Sequence, residues 1–64
     1  MFIEDAIRQM DQIVTDSKRN AEKFLKGNAS AGTRLRVSMQ EVKKLANTIR
    51  EEVLNIRKRD AEKK

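Results

Sequence analysis

The chain has 64 residues, a net charge of +5 and charged side chains at 39% of its positions. It contains no cysteine, histidine or proline, and its only aromatic residues are Phe2 and Phe24. This composition excludes disulfides and the usual zinc sites, and it indicates a helical, coiled-coil-like chain rather than a β-domain. Because so short a chain buries little surface alone, self-association is the expected source of further burial.

The first ten residues carry acidic side chains where a secretory signal needs positive charge and a continuous apolar stretch. No apolar run approaches the roughly 20 residues that a membrane span needs. We therefore expect a cytoplasmic protein that does not enter a membrane.

The first predicted helix covers about residues 3–26. Positions spaced three and four apart form its inner face: Ile3, Ala6, Met10, Ile13, Ser17, Asn20 and Phe24. This spacing is typical of an amphipathic helix, and no helix breaker interrupts it.

A turn is predicted at residues 27–28. Gly27 can adopt the left-handed conformation that ends a helix, and Asn28 can cap the helix that follows, with Ser30 as the alternative cap. Gly32 lies within the first turns of that second helix, where glycine costs about 1 kcal/mol relative to alanine. Close approach of another helix or of a ligand backbone would explain a glycine at this position. The alternative is that glycine is simply tolerated near the end of a helix.

The second predicted helix covers about residues 29–61. Its inner positions are more regularly apolar: Leu35, Met39, Val42, Ala46, Ile49, Val53 and Ile56. We assign residues 1–58 to the hairpin and residues 59–64 to a charged C-terminal end that frays.

The short connection predicts an all-α, antiparallel two-helix hairpin. Folding at Gly27 pairs Ile3 with Ile56, Met10 with Ile49 and Phe24 with Leu35. The apolar faces are wider than one seam requires, because further apolar residues flank it: Ile7, Val14, Ala21 and Leu45. A second hairpin would cover them, so we expect a homodimer forming a four-helix bundle, with a higher homo-oligomer or docking on a different protein as alternatives.

The residues expected in this core and dimer seam share the inner helix faces. They are Ile3, Met10, Ile13, Phe24, Leu35, Met39, Val42, Ile49, Val53 and Ile56.

Positive charge concentrates around the predicted turn. Residues 18–36 sum to +5, whereas residues 1–17 sum to −3. Along the second helix, a cation recurs every seven residues beside the seam, at Arg36, Lys43, Arg50 and Arg57. Such a line suits a phosphate backbone, although cations beside a heptad core are also ordinary solubility and ion-pair positions. Arg34 and Arg36 are better evidence, since they follow a helix N-terminus, where positive charge is unfavourable.

No residue pattern indicates catalysis. Without histidine or cysteine the usual nucleophile and base pairings are missing, and the carboxylates are scattered. The spacing of Gly27 and Gly32 is not that of a phosphate loop, and no aromatic side chain is free to stack on bases. We expect no enzyme activity, no cofactor, no metal and no small-molecule substrate.

The stretch Phe24–Lys58 resembles the bacterial linker-histone-like proteins first known from chlamydiae, in their short form. The resemblance rests on a glycine-asparagine turn, small residues, an arginine-x-arginine and a lysine-rich helix, here Gly27, Asn28, Ala31, Gly32, Arg34, Arg36, Lys43, Lys44, Leu45, Ala46 and Arg50. Two features depart from the family: Ala29 stands where a lysine is frequent, and the long lysine- and alanine-rich tail is missing.

The resemblance implies a nucleoid-associated protein that binds and compacts duplex DNA without strong sequence preference. Together with the charge pattern it predicts these phosphate contacts: Arg19, Lys23, Lys26, Arg34, Arg36, Lys43, Lys44, Arg50 and Arg57. Two alternatives stay open, an RNA-binding hairpin dimer and a structural coiled-coil module without nucleic acid.

Overall fold

Two antiparallel α-helices joined by a tight turn form the whole of the described structure. A computed structural model describes residues 2–62, in which α1 spans Phe2–Leu25 and α2 spans Ala29–Glu62. No strand occurs within these residues, so the part described is an all-α hairpin. The observed helix bounds lie within one residue of those expected from the sequence.

The charged C-terminal end is only partly described. Residues 59–62 continue α2, whereas Lys63 and Lys64 lie outside the described residues, as does Met1. The expected fraying of residues 59–64 therefore stays a prediction.

Gly27 ends α1 in the conformation expected from the sequence. Its φ is 104°, in the left-handed region that favours glycine. The Gly27 amide donates to the Phe24 carbonyl at 2.9 Å, and the Asn28 amide donates to the Lys23 carbonyl at 3.0 Å. These two bonds form a Schellman motif, which satisfies carbonyls that the end of a helix would otherwise leave unpaired.

Asn28 also begins the next helix. Its side-chain Oδ1 accepts a hydrogen bond from the Ala31 amide at 3.1 Å, the bond an N-cap residue makes to the third residue of its helix. Asn28, and not Ser30, is therefore the cap. Because one residue closes α1 and opens α2, the turn has little freedom and holds the helices antiparallel.

The hairpin is a long, narrow rod. Its extents are 57 × 15 × 11 Å and its radius of gyration is 16.1 Å, whereas a compact domain of this length would have a radius of gyration of about 11 Å. Neither helix, as far as residues 2–62 are concerned, carries an apolar stretch long enough to cross a bilayer.

The residues that the hairpin buries are all small. The buried residues of the described part are Ala6 near the open end, Ser17 near the middle and Ala31 at the turn. Ser17 satisfies its hydroxyl within α1 by donating to the Ile13 carbonyl at 2.8 Å. Large side chains beside these points are covered from one side only, because a single partner helix cannot surround them.

The expected core residues reflect this one-sided cover. Seven of them are half-buried in the single hairpin: Ile3, Met10, Ile13, Leu35, Val42, Ile49 and Ile56. Phe24, Met39 and Val53 are exposed, at 50%, 43% and 39%. Their burial in a dimer seam stays a prediction.

One side of the rod is an apolar face. A groove of about 440 Å³ between the helices is lined by Ile7, Met10, Val14, Ala46 and Ile49, with Asp11 and Arg50 also lining it. Towards the open end the face continues over Val53 and Leu54, in a hollow that shares Ile49 and Arg50 with the groove. Nearer the turn, a separate hollow is lined by Phe24, Gly32, Leu35 and Arg36 among others. These positions lie two heptads from residues that line the groove, so the hollow lies on about the same side of the helices.

Candidate nucleic-acid interface

Five cations gather around the turn, and we refer to them as the tip cluster. The Schellman motif fixes the backbone of residues 23–28, and the Asn28 cap fixes the start of α2. Both connections hold cations from the two helices at the same end of the rod. The tip cluster consists of Arg19, Lys23, Lys26, Arg34 and Arg36, and all five are exposed.

Arg34 is held across the helix pair by Asn20. The Arg34 Nε donates to the Asn20 Oδ1 at 3.3 Å, and this bond joins α2 to α1 about two helical turns from Gly27. The bond uses Nε and leaves the two terminal nitrogens of the guanidinium available for a phosphate. Sequence reasoning placed Asn20 on the seam and missed this role.

The dipole of α2 affects Arg34 and Arg36 less than expected from the sequence. Arg34 is the sixth residue of α2 and Arg36 the eighth, so both lie beyond the first turn, where the dipole acts most strongly. Their placement is therefore less unfavourable than expected from the sequence. The first turn of α2 has no acidic residue, and Lys23 lies in the last turn of α1. The N-terminus of α2 and the C-terminus of α1 both lie at the tip, so their opposite partial charges largely offset each other, and the positive charge of the tip comes from its side chains.

The basic row of Arg36, Lys43, Arg50 and Arg57 runs along α2 from the tip. Successive members are about 10.5 Å apart along the helix, at 1.5 Å per residue. A straight helix also rotates a heptad repeat by about 20° per step, so the row turns slowly around α2. Arg36 and Arg50 both line hollows of the apolar face. The basic row therefore borders that face instead of lying opposite it.

Lys44 lies apart from the basic row. It lines a second groove with Gln9, Ile13 and Leu45, on another side of the hairpin. The structure thus brings together the tip cluster and aligns the basic row, and it leaves Lys44 separate from both.

The predicted phosphate contacts are free of internal ion pairs. Among the side chains of residues 2–61 the only ion pair within 4.0 Å joins Arg8 to Asp5 at 3.7 Å, far from the tip, with both side chains largely exposed. All nine cations that the sequence predicts as phosphate contacts are exposed. No carboxylate of residues 2–61 lies within 4.0 Å of them, so they are available to an external polyanion.

Comparison with known proteins identifies the family. No curated protein and no solved structure matches the chain. One family model, described as histone H1-like protein Hc1, matches residues 4–59, which include both helices over most of their length. The match covers the turn, the tip cluster and the basic row. The chain belongs to this histone H1-like family of DNA-binding, nucleoid-associated proteins.

Proposed function

We propose that the protein coats and compacts duplex DNA without strong sequence preference, through the tip cluster and the basic row. The observation that carries the proposal is that every predicted phosphate contact is exposed and none has a carboxylate within 4.0 Å in the described residues. Arginine and lysine contacts to phosphate fix a protein on the duplex without reading its sequence. Membership of the histone H1-like family supports DNA as the polyanion.

The proposed active form is a homodimer in which two hairpins build a four-helix bundle. The hairpin alone buries only Ala6, Ser17 and Ala31 among its described residues. Removing apolar surface from water contributes about 25 cal/mol per Å², so covering the half-exposed seam residues would stabilise the fold substantially. A dimer also doubles the number of cations that one assembly presents to DNA.

A mobility-shift titration at several salt concentrations tests this function. If one dimer contacts six phosphates, the logarithm of affinity falls with the logarithm of salt concentration at a slope of about −5. Absence of any shift on duplex DNA at low salt would refute the proposal. Light scattering of the free protein tests the dimer separately, by its mass.

Competition between polymers separates DNA from RNA. Phosphate contacts alone attract both, so unlabelled duplex DNA and structured RNA are added in turn to a preformed complex with labelled duplex. We expect duplex DNA to displace the label at lower concentration. Stronger displacement by RNA would favour the RNA-binding dimer instead.

A further inference from the structure

The broad side of the rod, along which the apolar face runs, is large enough for one half of a protein interface. Its outline of 57 by 15 Å encloses about 850 Å², and a stable complex buries about 800 Å² on each partner. Exposed apolar side chains lie along it from Leu54 and Ile7 near the open end, through Val14, to Phe24 near the turn. A second copy of the chain presents the same apolar face and can cover it in either of two orientations.

Heptad spacing places a row of residues along each side of this face, and we call these rows the rims. The α2 rim is the basic row, four cations spaced seven residues apart. The α1 rim has the same spacing and mixed character: Glu4, Asp11, Lys18 and Leu25. Asp11 and Arg50 line the same groove from opposite helices and do not pair with each other within the hairpin. In helical bundles, charges that flank an apolar seam set the partner and its orientation.

Two symmetric arrangements can bring two such faces together. With the tips at opposite ends, α2 packs over α2, and the basic row meets the partner's basic row. With the tips at the same end, each α1 packs over the partner's α2. Glu4 then meets the partner's Arg57, and Asp11 meets the partner's Arg50. Each of these contacts occurs twice by symmetry. Lys18 meets the partner's Lys43, and this is the single repulsive contact of each rim.

We infer that two hairpins associate through the apolar face with their tips at the same end. This arrangement gives four attractive rim contacts and two repulsive ones. The opposite orientation gives four repulsive contacts between the two all-cationic rows and only two attractive ones, between Asp11 and the partner's Lys18. Both tip clusters then lie side by side and form one strongly cationic end. The inference rests on the proposed dimer and refines the DNA site: Arg50 and Arg57 join the dimer rims, and the paired tips contact phosphates.

Distance measurement between tips tests the orientation directly. The chain has no cysteine, so Ser30→Cys carries a single nitroxide label at the tip of each protomer. Tips at the same end lie within about 25 Å, the width of a bundle whose helices are about 10 Å apart. Tips at opposite ends lie about 50 Å apart, the length of α2 at 1.5 Å per residue. A label at Thr15→Cys, near the middle of α1, gives a short distance in either orientation and serves as the control.

Charge reversal tests the rims independently. Asp11→Arg or Arg50→Glu alone should raise the dimer dissociation constant about tenfold, because each makes two attractive contacts repulsive. Mixing the two variants should restore association, since the arginine introduced in one chain then faces the glutamate introduced in the other across the heterodimer. A pair within one hairpin could not be restored by mixing.

Each outcome decides between defined possibilities. Short tip distances and restoration by mixing support the inference. A dimer with tips about 50 Å apart, or one strengthened by Arg50→Glu, overturns the inference and leaves the proposed dimer standing. If light scattering shows a monomer, both the inferred orientation and the proposed dimer are overturned. Binding of the wild-type protein to duplex DNA is measured separately, so that the proposed DNA-binding function is tested independently.

Discussion

The ring of Phe24 lies against the Cα of Gly32, where the two helices leave the turn. A Cβ on residue 32 would come within 2.5 Å of one ring carbon and 2.7 Å of another. Only glycine lets the ring occupy this place without a shift. The close approach expected from the sequence at Gly32 is therefore made by an aromatic side chain of α1.

Gly32→Ala should destabilise the hairpin despite the better helix propensity of alanine. Alanine gains about 1 kcal/mol in a helix, but overpacking typically costs about 1–3 kcal/mol, so we expect a net loss of about 1 kcal/mol. Thermal unfolding followed by circular dichroism at a fixed protein concentration measures it. Thr33→Ala, at the exposed neighbouring position, is the control and should change little. A more stable Gly32→Ala would mean that the Phe24 ring moves away at no cost.

Asn28→Ala should lower stability by about 1 kcal/mol, because it removes the side-chain oxygen that caps α2. The Ala31 amide, which lies in a fully buried residue, would lose its partner. The melting temperature at fixed concentration reports the loss. Ser30→Ala is the matched control, since Ser30 does not cap the helix and should leave the melting temperature unchanged.

Asn28→Asp separates stability from DNA binding at the same position. Aspartate keeps the capping oxygen and is favoured by the helix dipole, so the hairpin should be at least as stable as wild type. It also adds a negative charge beside the tip cluster, so we expect about tenfold weaker binding to duplex DNA at low salt. Unchanged affinity would show that DNA does not approach the tip.

The two helices and the turn could be predicted from the sequence, because both depend on local spacing and residue type. Heptad spacing places Met10 and Ile49 on inner faces, and Gly27-Asn28 supplies a left-handed residue followed by a cap. The structure has both helices and the turn there, and Met10 and Ile49 line the same groove.

The degree to which each large apolar side chain is buried could not be predicted from the sequence in the same way. Spacing says which side of a helix faces its partner, but not how much of a large side chain that partner hides. Phe24 is therefore on the expected face and yet half exposed. The bond from Arg34 to Asn20 escaped notice because it depends on the relative rotation of the helices near the turn.

Asn20 should position Arg34 for phosphate binding. Arg34→Ala removes the contact, and Asn20→Ala leaves the guanidinium unrestrained, so both should weaken DNA binding, the first more strongly. If Asn20 acts through Arg34, the double variant should bind no worse than Arg34→Ala alone. The readout is the duplex dissociation constant at fixed salt, with the salt slope becoming shallower for both Arg34 variants and staying unchanged for Asn20→Ala. Additive losses would show that Asn20 acts independently.

Charge reversal at the tip should reduce DNA affinity far more than the same reversal elsewhere. Arg34→Glu with Arg36→Glu changes the tip by four charge units per protomer and should weaken duplex binding by at least a hundredfold at low salt. The hairpin should stay folded, because both side chains are exposed, neither is an apolar residue of the seam, and the bond from Arg34 to Asn20 that the variant loses is also exposed.

Arg8→Glu with Lys58→Glu is the matched control, because it makes the same change in net charge at exposed positions towards the open end of the rod. If binding responded only to total charge, both double variants would lose affinity equally. A large loss for the tip variant and a small one for the control locates the DNA contact at the tip, because phosphate contacts are lost only where the cations touch the duplex. Circular dichroism of both variants excludes unfolding as the cause.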